Sequence, residues 1–285
     1  MTGAGGMLGR EMVARLSADP PPSDHSGRII PLGRAELDIT EPASVRTAFA
    51  EHRPDVVVNC AAYTAVEAAE HDEAEALRIN GDGPRHVAEA CARHGARLIH
   101  ISTDYVFPGY PRTPRSEDHP TEPHTAYGRT KLAGEQAVLE LLRGSSIVVR
   151  TAWLYGRHGR SFVRTVIELE SRQDTVDVVA DQVGQPTWAA DLAGWVVALG
   201  RTPHASGIFH GTNAGAASWY ELAREVFLGI GADAGRIRPT TSEAYPGMAP
   251  RPAYTVLGHD RWAEIGAEPP RDWRRALREA LPHLR

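Results

Sequence analysis

Leu98-Ile99-His100-Ile101 runs directly into Ser102-Thr103-Asp104-Tyr105-Val106-Phe107, and the reading of this junction decides the fold. A short apolar run with little polar alternation predicts a parallel strand buried on both faces. In an open α/β sheet, ligands gather outside the carboxyl ends of the strands, which is where Ser102, Thr103 and Asp104 fall. Farther along comes Tyr127-Gly128-Arg129-Thr130-Lys131. The Ala, Leu, Glu and Gln content over 125–142 predicts a helix, so Tyr127 and Lys131, four apart, leave one face of it. A phenol beside a fixed ammonium is expected to ionise below its ordinary value near ~10, which suits a proton donor or acceptor at neutral pH. Y-x-x-x-K is common on helices. Its position beyond a buried strand that ends in the Thr103 hydroxyl makes it a candidate reaction centre.

At the start of the chain, Thr2-Gly3-Ala4-Gly5-Gly6-Met7-Leu8-Gly9 opens into the helix-like Arg10-Glu11-Met12-Val13-Ala14-Arg15-Leu16. Glycines at 3, 6 and 9 allow a tight turn, bring backbone N–H groups close to a pyrophosphate and let the helix pack on the sheet, while the helix N-terminus favours the anion. A dinucleotide fold hangs this turn from a first, central strand, and only Met1 stands there. The expectation is a natural protein that begins several residues upstream with an apolar strand. Pro20-Pro21-Pro22-Ser23-Asp24 reads as a breaker, and Arg28-Ile29-Ile30-Pro31-Leu32 as a second strand ending at Gly33-Arg34. An acidic residue at that end would bind the ribose hydroxyls of NAD, whereas Arg34 can pair with the additional phosphate of NADP. NADPH is therefore the expected cofactor, with NADH as the alternative. Asp38 and Ile39 are placed to line an adenine.

Asp55-Val56-Val57-Val58-Asn59-Cys60 reads as a third strand, and the small residues of Ala61-Ala62-Tyr63-Thr64 beyond it would let ligands lie against the backbone. Helices are expected over 41–52, 72–80 and 84–94, a further strand over 146–150 and another helix over 189–199. Strand and helix alternate, which is the pattern of an α/β fold with a doubly wound parallel Rossmann-type sheet. Residues 1–150 are expected to form an NAD(P)-binding domain. Residues 151–285 are expected to form mainly a smaller C-terminal substrate-binding lobe, with 188–213 returning to the first domain through a strand over 207–210. Trp153, beyond the strand over 146–150, has two equal readings, a stacking platform for a sugar or base and a core residue. A closing helix is expected over 271–284.

Bulk properties exclude several classes. The 285 residues are 42% hydrophobic with a formal net charge of −5 and dispersed basic residues, so neither nucleic acid nor an anionic membrane surface is an expected partner. Cys60 and Cys91 are the two cysteines. They point to reduced thiols in a cytoplasmic protein, and the scattered histidines suggest no metal site. A small molecule is the expected partner, and a homodimer is left open.

Taken together, these stretches resemble the extended short-chain dehydrogenase/reductase family, and most closely its dTDP-4-dehydrorhamnose reductase branch. The resemblance covers nearly the whole chain. It rests on T-G-A-G-G-M-L-G at 2–9, V-N-C-A-A-Y-T-A-V at 58–66, S-T-D-Y-V-F at 102–107 and Y-G-R-T-K at 127–131, and extends to R-T-A-W-L-Y-G at 150–156, D-Q-V-G-Q-P-T at 181–187 and R-P-A-Y-T-V-L at 251–257. It implies reduction of the C4 ketone of a dTDP-sugar, dTDP-4-dehydro-L-rhamnose, by NAD(P)H. Tyr127 would be the proton donor, Lys131 would hold the nicotinamide ribose, and Thr103 would bond the ketone oxygen. Thr103, Asp104, Val66 and Trp153 would touch substrate. Gly3, Gly6, Met7, Leu8, Gly9, Arg34, Asp38, Ile39, Ala61, Ala62, Tyr63, Thr64 and Ile101 would touch cofactor together with Tyr127 and Lys131. The chain departs from the branch at Glu67-Ala68, where Asp-Lys is usual, and at Pro108, often Asp.

Three rival functions share parts of this pattern. Related sugar-nucleotide 4,6-dehydratases carry Thr-Asp-Glu after the fourth strand, and Tyr105 replaces that Glu here, which leaves elimination without its base. A reductase of another dTDP-4-keto-deoxysugar fits the same residues. A non-catalytic NADP-binding regulatory subunit would not need the intact set of Thr103, Tyr127 and Lys131.

Overall fold

The computed structural model describes residues 1–19, 28–245 and 249–284, so the breaker expected at 20–24 lies outside the described residues. A glycine turn leads into α1 (Met7–Ala18), followed by α2 (Pro42–His52) and β1 (Val56–Asn59). Helices α3 (Val66–His71), α4 (Glu73–Leu77) and α5 (Gly83–His94) precede β2 (Arg97–Thr103), with a π-helical turn, Arg78–Asp82, joining α4 to α5. Then come α6 (Ala126–Leu141), β3 (Ser146–Thr151), β4 (Leu154–Tyr155), α7 (Phe162–Glu170), β5 (Val176–Val179), β6 (Val183–Gly184) and β7 (Thr187–Trp188). The chain continues through α8 (Ala189–Arg201), β8 (Gly207–His210), β9 (Ala217–Ser218), α9 (Trp219–Ile230), β10 (Ile237–Thr240), α10 (Asp260–Glu264) and α11 (Trp273–Ala280).

The main sheet has the order β1-β2-β3-β8, with every pairing parallel. Side chains alternate across it. Leu98 and Val148 enter one core with Phe49, Val87, Cys91 and Val138, from α2, α5 and α6. Their neighbours Ile99, Ile147 and Val149 enter the opposite core with Met12, Val196 and Trp262, from α1, α8 and α10. Helices therefore cover both faces, as a doubly wound sheet requires, and each large apolar side chain buried this way contributes about 1.5–3 kcal/mol. The strand over 207–210 does return to the sheet beside β3. A third core, with Val163, Val176, Leu222, Phe227 and Trp273, packs α7, β5, α9 and α11 away from the sheet.

Two expectations are corrected. Residues 28–32 are not a strand. Met1 N–H donates to the Ile30 carbonyl (2.8 Å), Leu32 N–H to that of Met1 (3.0 Å) and Ala4 N–H to that of Leu32 (3.1 Å), while Thr2 makes one isolated parallel bridge to Asn59. These are scattered bonds and not a ladder, and an apolar cleft lined by Met1, Ile30, Leu32, Phe49 and Val57 lies beside them. The closing helix is also shorter than expected, since after Ala280 the chain tightens into a 3₁₀ turn, Leu281–His283, containing Pro282. Among the described residues, no helix is long and apolar enough to cross a membrane.

Candidate active site

The glycine turn is built by close approach. Gly3 has φ +65°, and a Cβ there would lie 2.6 Å from the Ala61 nitrogen, while a Cβ on Gly9 would lie 2.3 Å from the Gly3 carbonyl oxygen. Gly5 faces open space, and Gly6, the N-cap of α1, supplies no capping side chain. The first N–H groups of α1 are thus presented without a side-chain partner, a cradle that fits a pyrophosphate. Leu8 is buried in the core and Met7 packs beside Gly156. Asn59, fully buried, holds the turn to the sheet by accepting from Thr2 Oγ1 (2.6 Å) and from the Ala61 amide (3.2 Å).

Beyond β1, the segment through Ala61, Ala62, Tyr63 and Thr64 is pinned by Asn80, which accepts from Tyr63 N–H (2.8 Å) and donates to the Tyr63 carbonyl (3.0 Å) and Thr130 Oγ1 (3.3 Å). Asn80 sits in the π turn. Sequence reading missed it, because a single widened turn inside a helical stretch has no compositional signal. Thr64 is exposed, and Val66 starts α3. Arg34 is exposed and pairs with Asp38 (3.2 Å). Burial pushes the Asp38 carboxyl up, but hydrogen bonds from Thr40 and Arg34 outweigh it and hold the group below its ordinary value. Ile39 spends its side chain in the core, against Gly83.

The reaction centre lies at the carboxyl end of β2. Thr125 caps α6 by accepting from Gly128 N–H, which fixes the helix start and with it the face carrying Tyr127 and Lys131. The Tyr127 ring stands edge-on to that of Tyr105, with ring centroids 5.6 Å apart, and the Thr103 hydroxyl faces its phenol. Lys131 is 2% exposed and donates Nζ to the Ile101 carbonyl at 2.6 Å. Burial lowers its pKa to about 8, against the opposing pull of Glu135 and Cys60. The expected acidification of the phenol does not occur. Burial raises the Tyr127 pKa, and Asp104 and Tyr105 add to the rise, because the ammonium is directed at the Ile101 carbonyl and not at the phenol.

Asp104, next to Thr103, is enclosed, and Thr103 Oγ1 donates to its Oδ1 at 3.0 Å. Arg251 donates to Glu67 and to the Tyr105 hydroxyl (3.1 Å), tying the later chain to α3 beside the site. Neither Arg251 nor Tyr105 was singled out from the sequence as a site residue. Trp153, with φ +44°, lies at the end of β3 with its indole stacked on Trp219 at 3.5 Å and 8°. The backbone of Gly184 also packs against this ring, so a Cβ there would lie 2.6 Å from it. One face of Trp153 is therefore taken by Trp219.

The chain is 59% identical to the probable dTDP-4,6-dihydroxy-2-methyloxan-3-one 4-ketoreductase of Streptomyces antibioticus, over 100% of this chain and 94% of that protein. It is 54% identical to the dTDP-4-dehydrorhamnose reductase of Streptomyces griseus, over 100% and 93%. Among solved structures, the dTDP-4-dehydrorhamnose reductase of Bacillus anthracis str. Ames in complex with NADP superposes with a TM-score of 0.90 at 36% identity, covering 99% of this chain and 97% of that one. The model of the RmlD substrate binding domain matches residues 1–285, and the chain belongs to that family.

Proposed function

We propose that this protein reduces the C4 ketone of dTDP-4-dehydro-L-rhamnose to dTDP-L-rhamnose with NADPH. The observation that carries the reading is that Thr103, at the carboxyl end of β2, faces the Tyr127 phenol, with the buried Lys131 one helical turn from Tyr127. Bound NADPH would supply the hydride. Negative charge then grows on the ketone oxygen, and Thr103 and Tyr127 are the hydroxyls placed to meet it. A phenol whose pKa burial raises stays protonated at neutral pH, so Tyr127 acts as an acid that yields its proton to the stronger base forming on the substrate. Lys131 would hold the nicotinamide ribose, Arg34 the 2′-phosphate, and the glycine turn with residues 61–64 the rest of the cofactor. Residues 1–150 would form the cofactor half and 151–285 mainly the substrate half, with 188–213 returning to the first.

A second reading has specific support. The relative with 59% identity carries the name of a 4-ketoreductase for a different dTDP-sugar, and Glu67-Ala68 departs from the usual Asp-Lys beside the site. Incubation with NADPH and each dTDP-4-keto sugar, with the product identified by NMR, separates the two. A cytoplasmic location agrees with two free thiols. Sedimentation velocity decides between monomer and homodimer.

A further inference from the structure

Asp104 carries a carboxyl that is 2% exposed, with Oδ2 fully enclosed and without a hydrogen-bond partner. Its Oδ1 accepts from Thr103 Oγ1 (3.0 Å). A threonine hydroxyl has one proton and two lone pairs. The Thr103 oxygen already accepts from the Tyr105 amide (3.2 Å). While Asp104 is ionised, the Thr103 proton is held by the carboxylate, so that hydroxyl is not aimed at a ketone.

We propose that Asp104 is a positioning residue that works as a neutral acid, its O–H donating to Thr103 Oγ1 so that the proton of Thr103 turns to the ketone oxygen. The carboxyl keeps its proton throughout, and only the direction of the hydrogen bonds reverses. Asp104 and the Tyr105 amide then fill both lone pairs of Thr103, and its proton is left for the substrate. The surroundings favour the neutral acid. The facing groups are the Thr255 hydroxyl, the Tyr105 and Tyr127 phenols and the Thr103 hydroxyl. The nearby cations are engaged elsewhere, Lys131 with the Ile101 carbonyl and Arg251 with Glu67 and Tyr105. Burial outweighs the hydrogen bond from Thr103 and lifts this carboxyl to about 6.

The inference rests on the ketone reduction proposed above, and the test separates the two. Turnover of the wild type, Asp104→Asn and Asp104→Ala is measured from pH 5 to 9, and the Asp104 carboxyl is titrated by carbon-13 NMR. Wild-type turnover is expected to fall above about pH 6 in proportion to the neutral acid that remains. Asp104→Ala should lose about 10²-fold, as when an oxyanion donor is removed. Asp104→Asn, whose amide still donates to Thr103, should recover most of that loss and lack the fall near pH 6. An Asn variant as poor as the Ala variant, or one that keeps the fall, overturns the role of Asp104. If the wild type reduces no dTDP-4-keto sugar, the proposed function fails and the titration still decides the inference: ionisation near the ordinary 3.8 overturns it, and ionisation near 6 upholds the neutral acid.

Discussion

Lys131 donates its ammonium to the carbonyl of Ile101 at 2.6 Å, from a position that is almost fully buried. Its charge is thus fixed against the end of β2, and burial brings its deprotonation down to about pH 8. Above the fall expected from Asp104 near pH 6, activity should fall a second time as pH rises through about 8, where the ammonium is lost. Lys131→Met should lower kcat/KM by about 10²–10³-fold, the scale of a preorganised electrostatic group, and should lack that alkaline fall. Initial rates across pH for both proteins check this, and an unchanged fall in the variant would assign it to another group.

Tyr127→Phe keeps the ring against Tyr105 and removes only the hydroxyl that meets Thr103. Turnover should drop by roughly 10²–10⁴-fold while NADPH affinity, read by fluorescence titration, stays nearly the same. Near-normal turnover would remove Tyr127 from the role of proton donor.

Arg34 is exposed and, among the described residues, hydrogen-bonds to Asp38. A surface pair of this kind contributes about 0–1 kcal/mol, so Arg34→Ala should leave the melting temperature almost unchanged. Loss of a charged hydrogen bond to a phosphate should raise KM for NADPH about ten- to a hundredfold and leave KM for NADH little altered. If both constants rise together, Arg34 contacts something that the two cofactors share.

The parts of this molecule that were legible in the sequence are those set by local periodicity. The apolar run at 98–101 is a buried strand whose alternate residues Leu98 and Ile99 enter opposite cores, and the helix expected over 125–142 is Ala126–Leu141 with Thr125 as its cap. Side-chain direction and long-range pairing were not legible. The spacing of Tyr127 and Lys131 places them on one face, but whether the ammonium turns to the phenol or to Ile101 depends on the neighbouring strand. The stack of Trp153 on Trp219 and the bond from Arg251 to Glu67 join residues far apart in sequence, and their geometry exists only after the chain has packed. The stretch 28–32 is apolar enough for a strand and forms none, because a ladder needs a partner as well as a propensity.

The central claim concerns which ketone this site reduces, and the most direct test is the initial rate of NADPH oxidation by the purified protein across a panel of dTDP-4-keto sugars. The account predicts rapid oxidation with dTDP-4-dehydro-L-rhamnose, formation of dTDP-L-rhamnose in equal amount, and loss of that rate in Tyr127→Phe. Faster turnover of a different 4-keto sugar, or no NADPH oxidation with any of them, would contradict it.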